Sequence, residues 1–245
     1  MIKDSYGAGE RLADVEGVFV RAILKLFGVL LVTLVSIPLI LTVAYAVMDP
    51  WSVPMIRRSG AGEPIRHRWV PLNEISPTLV QGVVMAEDAR FCLHYGVDLG
   101  QLKIVVEEAL DGGNPRGAST ITMQTVKNLY LWPERSYLRK AIEIPLAVWM
   151  DLILSKDRIL EIYLNIAQWG GNDFGVEAAA QRNFGVSAAN LTDRQALALA
   201  TMLPAPSRRN PRNPGARQRR VMAHVARELD RAPWVFTCLP QSLRP

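Results

Sequence analysis

The chain has 245 residues, is 49% hydrophobic and carries a formal charge of +5, which excludes a disordered chain and leaves room for one substantial domain with an appendage. Two cysteines, Cys92 and Cys238, exclude a multi-bridge framework, and without CxxC spacing they argue against a zinc site. A bridge between the two needs an oxidising compartment, and the sequence leaves it open.

Residues 1–25 read as a polar cytoplasmic tail of mixed charge. From Leu26 to Met48 no residue is charged. As a helix this stretch spans roughly 35 Å, enough for a hydrocarbon core of about 30 Å. Pro38 is tolerable in a membrane helix. Its length tells against a buried core helix. The lack of a small-x-small site before Asp49-Pro50 tells against a cleaved signal peptide. A retained membrane anchor is expected. Its orientation is not set by charge, because Arg21 and Lys25 before it are balanced by Arg57, Arg58, Arg66 and Arg68 after it. The basic excess suits an anionic membrane surface or a phosphorylated substrate, and beside an anchor nucleic acid is not expected.

Residues 49–75, rich in Pro and Gly, read as a linker. Helical signals then dominate residues 76–215. Ser76-Pro77 opens a helix through TLVQGVVMAEDARF. Ser119 can cap a helix over TITMQTVKNLYL. A longer segment, Tyr137 to Ser155, has Ile142, Leu146, Trp149 and Ile153 at helical spacing, and Lys156 to Asn165 continues in that style. Pro145 should kink this helix or put Glu143 in its first turn. Thr192 and Gln195 form a capping box. Residues 216–245 read as a basic tail with a short amphipathic stretch at Val221, Val225 and Leu229. With few alternating patterns, the fold class is mainly α.

Three stretches carry candidate chemistry. Glu87 continues the face of Val80 and Val83, so it is partly desolvated and close to a helix C-terminus. Both effects raise a carboxylate's pKa and suit it to accept a proton. Taken alone, a solvated terminal Glu is the better reading. Thr120, Gln124 and Lys127 form a polar stripe beside Met123, Val126, Leu129 and Tyr130, and the Gly117-Ala118-Ser119 turn leaves backbone N–H groups for an anion. An ordinary amphipathic helix explains that stripe equally well. Arg135, Arg139 and Lys140 gather cations near Glu143, as a diphosphate leaving group requires, although Arg139 and Glu143 also have the spacing of a surface pair.

In order along the chain, these stretches resemble the bacterial peptidoglycan glycosyltransferases. The pattern ED-x-x-F-x-x-H-x-G-x-D runs from Glu87 to Asp98. GASTITMQTVKNLYL comes next, then Arg139-Lys140-x-x-Glu143, Ser155-Lys156, Ile162-Tyr163-Leu164-Asn165 and AAAQRNFG at 178–185. The resemblance implies a lysozyme-like helical domain outside the cytoplasm, anchored in the bacterial inner membrane with its N-terminus inside. It implies inverting polymerisation of lipid II, with Glu87 as general base and Glu143 acting near the leaving group. Asp88, Phe91, His94, Ser119, Thr120, Gln124, Lys127, Asn128, Arg135, Arg139 and Lys140 match substrate-binding positions. Lys127 and Arg135 would steady the diphosphate. No permanent cofactor is expected, only a divalent cation (Mg or Mn) held with the substrate diphosphate. Partners would be lipid II, the growing glycan, the membrane and other cell-wall synthesis or division proteins. Met123 and Asn183 depart from residues common in the family. His94 is expected to serve packing or hydrogen bonding, and Trp149 and Trp169 the core. His67 and His224 carry no signal.

Two rivals remain. A lysozyme-like glycan-cleaving enzyme would share the Glu but need no cationic helix. A silent wall-assembly scaffold would not need Glu87 or Lys127. A bifunctional penicillin-binding protein is not expected, since no SxxK is present and few residues lie beyond Pro211.

Overall fold

The computed structural model describes residues 6–113, 119–134, 136–203 and 206–244. It forms two compact units, Met1–Leu41 and Thr42–Pro245.

The first unit is most of one helix, α1 (Tyr6–Ala44). The expected polar tail is therefore helical from Tyr6, and the apolar helix stops at Ala44 instead of Met48. Its stretch Arg21–Ala44 has mean hydropathy 2.6 and only 6% of that apolar window is buried. A soluble core helix hides such a surface; this one presents Leu26, Phe27, Leu31 and Leu34 outward. By length and composition this helix can cross a membrane, and its exposure is unlike that of a soluble core helix.

In the second unit the expected linker is folded. Ser52 caps α2 (Val53–Gly60), whose Met55 is fully buried, and Val70, Leu72 and Ile75 enter the core. Pro and Gly there set turns between residues that pack. Asn165, itself buried, fastens this stretch by accepting from the Val70 N–H and donating to the Val70 carbonyl, both at 2.8 Å.

The catalytic-candidate helix α3 (Pro77–Glu87) starts at Ser76-Pro77 as expected. It packs against α9 (Asp193–Ala200) and α10 (Ala216–Arg231). Gly82 permits that closeness, since a Cβ on it would lie 3.0 Å from the Ala200 Cβ. The Thr192–Gln195 capping box is present. The expected basic tail is thus part of the domain: α10 buries Gln218, Val225 and Leu229 while its arginines face outward. The amphipathic stretch at Val225 and Leu229 is the stripe that docks it.

On the other side of the core, α5 (Ile121–Tyr130) packs against α6 (Tyr137–Ile153) and α7 (Lys156–Ile166). Helix α4 (Leu99–Leu110) precedes them. Helix α6 starts at Tyr137 and runs through Pro145, so Glu143 lies in its second turn, not its first. The fully buried face of α6 is Arg139, Glu143, Ala147 and Met150; of the stripe Ile142, Leu146, Trp149 and Ile153, Ile142 and Leu146 pack against the core while partly exposed, and Ile153 is exposed. An ion pair within that face makes its burial tolerable.

A small sheet joins β1 (Arg66–His67), β2 (Gln168–Gly170) and β3 (Asp173–Phe174) in the order β1-β3-β2. β1 is parallel and β2 antiparallel to β3, with Arg66 opposite Asp173. Helix α8 (Val176–Phe184) comes directly after. Cys92 and Cys238 are disulfide-bonded, with Cα atoms 5.2 Å apart.

Candidate active site

Glu87 is the last residue of α3, and Asp88 ends the helix in an extended conformation. The two neighbours consequently point to different tasks. Asp88 is buried and accepts the N–H of Ile121, the first residue of α5, at 2.9 Å. It also meets His94 Nε2 at 3.1 Å. The N-cap of α5 is Thr120, not Ser119: its hydroxyl accepts from the Met123 N–H at 3.1 Å and donates to the Gly96 carbonyl at 2.6 Å. At the positive end of α5 the Ile121 N–H is thereby met by the chain's own carboxylate. Gly117 and Ala118 of that expectation, and Arg135, lie outside the described residues.

The loop after Asp88 explains the rest of the first motif. Phe91 is fully buried; it packs edge-on to His94 and lies 4.5 Å beneath the Lys156 ammonium. Lys156 also donates to the His94 carbonyl at 2.7 Å and pairs with Asp151 at 2.6 Å. Gly96 has φ +78°, and a Cβ there would stand 2.2 Å from the Ala147 carbonyl oxygen. Asp98 accepts from the Gln101 N–H at 3.0 Å, capping α4, and pairs with Arg90 at 2.9 Å. Phe91 packing and the hydrogen bonds of His94 Nε2, Asp88 and Thr120 hold this loop against α5, and Asp88 and Thr120 also line a cavity beside Glu87.

Glu87 is different. One carboxylate oxygen accepts from Gln124 Nε2 at 3.0 Å, while the other is buried with no hydrogen-bond partner. Gln124 is itself held by the Tyr163 hydroxyl, which donates to its Oε1 at 3.1 Å. Burial pushes the Glu87 pKa above the ordinary carboxylate value, only partly offset by the Gln124 hydrogen bond and the charges of Arg209 and Lys127. Tyr163 is pushed well above its usual range by complete burial, so it remains a donor.

The cations form the second half. Glu143, 2% exposed, is met by Arg139 at one oxygen and by Lys140 Nζ at 3.1 Å at the other. Lys140 also donates to Ser119 Oγ at 2.7 Å. The Lys127 side chain has no hydrogen bond or ion pair among the described residues; its amine is pushed below its usual value by burial first, and it feels the charges of Glu143, Arg139, Lys140 and Glu87. A base and a cation cluster thus share one electrostatic neighbourhood.

Two concavities border the Glu87–Gln124 pair, one on each residue. One, of about 650 Å³, is lined by Glu87, Asp88, Arg90, Ser119 and Thr120. The other, of about 250 Å³, is lined by Gln124, Lys127, Asn128 and Tyr163. Sequence reasoning missed Tyr163 as a support, Lys156 as the anchor of the loop and Arg209 as a charge acting on Glu87. It also assigned no signal to His224, which borders the larger cavity. Tyr163 and Lys156 belonged to quoted motifs; nothing local marked the other two. Trp169 is 1% exposed and belongs to the core, as expected. Among the described residues no three His, Cys, Asp or Glu side chains converge to hold a metal.

Comparison with known proteins accords with this geometry. Residues 55–230 match the sequence model of the Transglycosylase family. A biosynthetic peptidoglycan transglycosylase of Nitrobacter winogradskyi is 48% identical over 202 residues, covering 82% of this chain and 89% of the relative. That of Brucella suis is 49% identical over 212 residues, 86% of this chain and 95% of the relative. One from Rhizobium meliloti is 53% identical over 172 residues, 70% and 73% of the two chains. The chain belongs to the transglycosylase family.

Proposed function

We propose that this protein is a membrane-anchored peptidoglycan glycosyltransferase that joins lipid II units into glycan strands during cell-wall synthesis. The observation that carries the reading is Gln124, which donates to Glu87 at 3.0 Å and lines one cavity with Lys127. It ties a proton acceptor to a group of cations across one site.

In this mechanism Glu87 accepts the proton of the acceptor sugar's 4-hydroxyl. The freed oxygen attacks C1 of the donor's N-acetylmuramic acid from the face opposite the leaving group, and the configuration inverts. The C1–O bond breaks with its electron pair on the undecaprenyl diphosphate. Lys127, Lys140 and Arg139 oppose the charge developing there. Gln124, fixed by Tyr163, orients the base. Glu143 orients Arg139 and Lys140; its role is electrostatic, since both its oxygens are occupied by cations. For the same reason this donor set does not suit a divalent ion, and no step is assigned to one.

The exposed apolar helix supports anchoring in the plasma membrane. The Cys92–Cys238 bond supports a domain outside the cytoplasm, where disulfides persist. The amino terminus is then cytoplasmic.

The test is incubation of the purified protein with lipid II. Wild type yields polymer that lysozyme digests, and Glu87→Gln yields almost none. Cleavage of preformed glycan by wild type would favour the hydrolase instead; no reaction of either kind would leave the scaffold.

A further inference from the structure

The chain continues past the family match, which ends at residue 230. Its C-terminal segment folds back onto the catalytic helix. Two short turns, Pro233–Phe236 and Gln241–Leu243, bury Val235, Phe236, Leu239 and Leu243 at 2% exposure or less. The first turn packs against α3 and the turn Phe91–Leu93, the second against α3. Three bonds fasten the segment: the Cys92–Cys238 disulfide, the Cys238 N–H to Cys92 Sγ at 3.1 Å, and Gln81 Nε2 to the Leu243 carbonyl at 3.1 Å. Glu87 lies between the fastened points, after Gln81 and before Cys92.

Helix ends fray because their last carbonyls lack intrahelical partners. Glu87 is the terminal residue of α3, where fraying would be greatest. Inside the fold, the loop beyond it is held by Asp88, His94 and Lys156. The C-terminal segment holds the other side of that loop through Cys92.

We propose that residues 232–244 are a brace for Glu87: by gripping α3 at Gln81 and the next turn at Cys92, they hold the carboxylate in register with Gln124, and turnover depends on the Cys92–Cys238 bond. Cys92, Cys238 and Gln81 are positioning residues. The inference rests on Glu87 being the general base.

The test uses the full-length protein in detergent, well below its melting temperature. A water-soluble phosphine reduces the bridge: phosphorus takes oxygen from water to become the phosphine oxide, and its two electrons with water's two protons leave two thiols. Amide hydrogen exchange should quicken over residues 88–98 while α5 and α7 stay protected. The kcat should fall about 10-fold or more, with the KM for lipid II nearly unchanged. The acid limb of kcat/KM should move down toward the ordinary carboxylate range as Glu87 gains solvent. The double variant Cys92→Ser, Cys238→Ser should reproduce these changes and ignore the phosphine. A lower Tm with unchanged kcat and acid limb would overturn the proposal, leaving a simple cross-link. Loss of protection throughout the domain on reduction would overturn it as well. Should the double variant fail to fold, reduction of folded wild type decides. Normal polymerisation by Glu87→Gln would remove the base assignment, whereas the exchange experiment reads the brace without any turnover.

Discussion

Gln124 donates its amide N–H to one carboxylate oxygen of Glu87 at 3.0 Å and leaves the other without a partner. The pairing joins α3 to α5, and so joins the proton acceptor to the helix that bears Lys127. An acceptor held at one oxygen has a defined orientation and a defined unmet valence. In the proposed mechanism a sugar hydroxyl would supply the donor that the second oxygen lacks.

Glu87→Gln should reduce polymerisation about 10²–10⁴-fold and at the same time stabilise the fold. The sign comes from the raised pKa. A carboxyl group whose folded pKa exceeds its unfolded value stabilises most below the unfolded pKa, and that stability is lost as pH rises through the folded pKa. At neutral pH the charged group is therefore a burden that the amide removes. Thermal unfolding should show Tm higher by about 2–4 °C at pH 7, and the gain should vanish in acid.

The pH profile of kcat/KM should be narrowed from both sides. Its acid limb tracks Glu87 and should lie above the ordinary carboxylate value of 4.5. Its alkaline limb tracks Lys127, whose cation is lost below the usual lysine value of 10.5 because burial disfavours the charge. Steady-state rates measured across pH, compared with Lys127→Arg, check both. The arginine variant should lose the alkaline limb, since guanidinium stays protonated.

Glu143→Gln should be costly in two ways. Arg139, 8% exposed, and Lys140 would lose the carboxylate that both engage. Breaking such a buried network costs about 3 kcal/mol, which urea denaturation measures. Donor use should fall with it, because the two cations lose their alignment.

Gly96→Ala should be among the most damaging single methyl additions to the domain. The position combines φ +78° with a backbone carbonyl 2.2 Å from where the Cβ would go. Strain of at least about 2 kcal/mol is expected. It should appear as a lower Tm and as lost activity, because Thr120 donates to that same residue's carbonyl.

Much of the architecture was legible in the sequence. The stripe of Val80, Val83 and Glu87 is a local pattern, and the structure buries the first two completely. Capping chemistry is equally local, hence the start of α3 and the Thr192–Gln195 box. The features that escaped were set by partners distant in sequence. Ser119 reads as a cap until Lys140 is seen to claim its hydroxyl. The buried face of α6 could not be chosen from periodicity, because a charged pair was hidden and apolar residues were left outward. Arg209 is one arginine among many in residues 208–220, and only the fold places its charge near Glu87. The C-terminal stretch looked like a tail because its anchor, Cys238, joins a residue 146 positions away.

The fields of Lys127 and Arg209 both hold the Glu87 pKa down against burial. In the proposed mechanism a diphosphate beside Lys127 would cancel part of that influence, and the basicity of Glu87 would rise in response. By thermodynamic reciprocity, ionisation of Glu87 loosens the hold on that anion by the same factor. With the leaving group seated, Glu87 would therefore be a stronger proton acceptor than in the free protein.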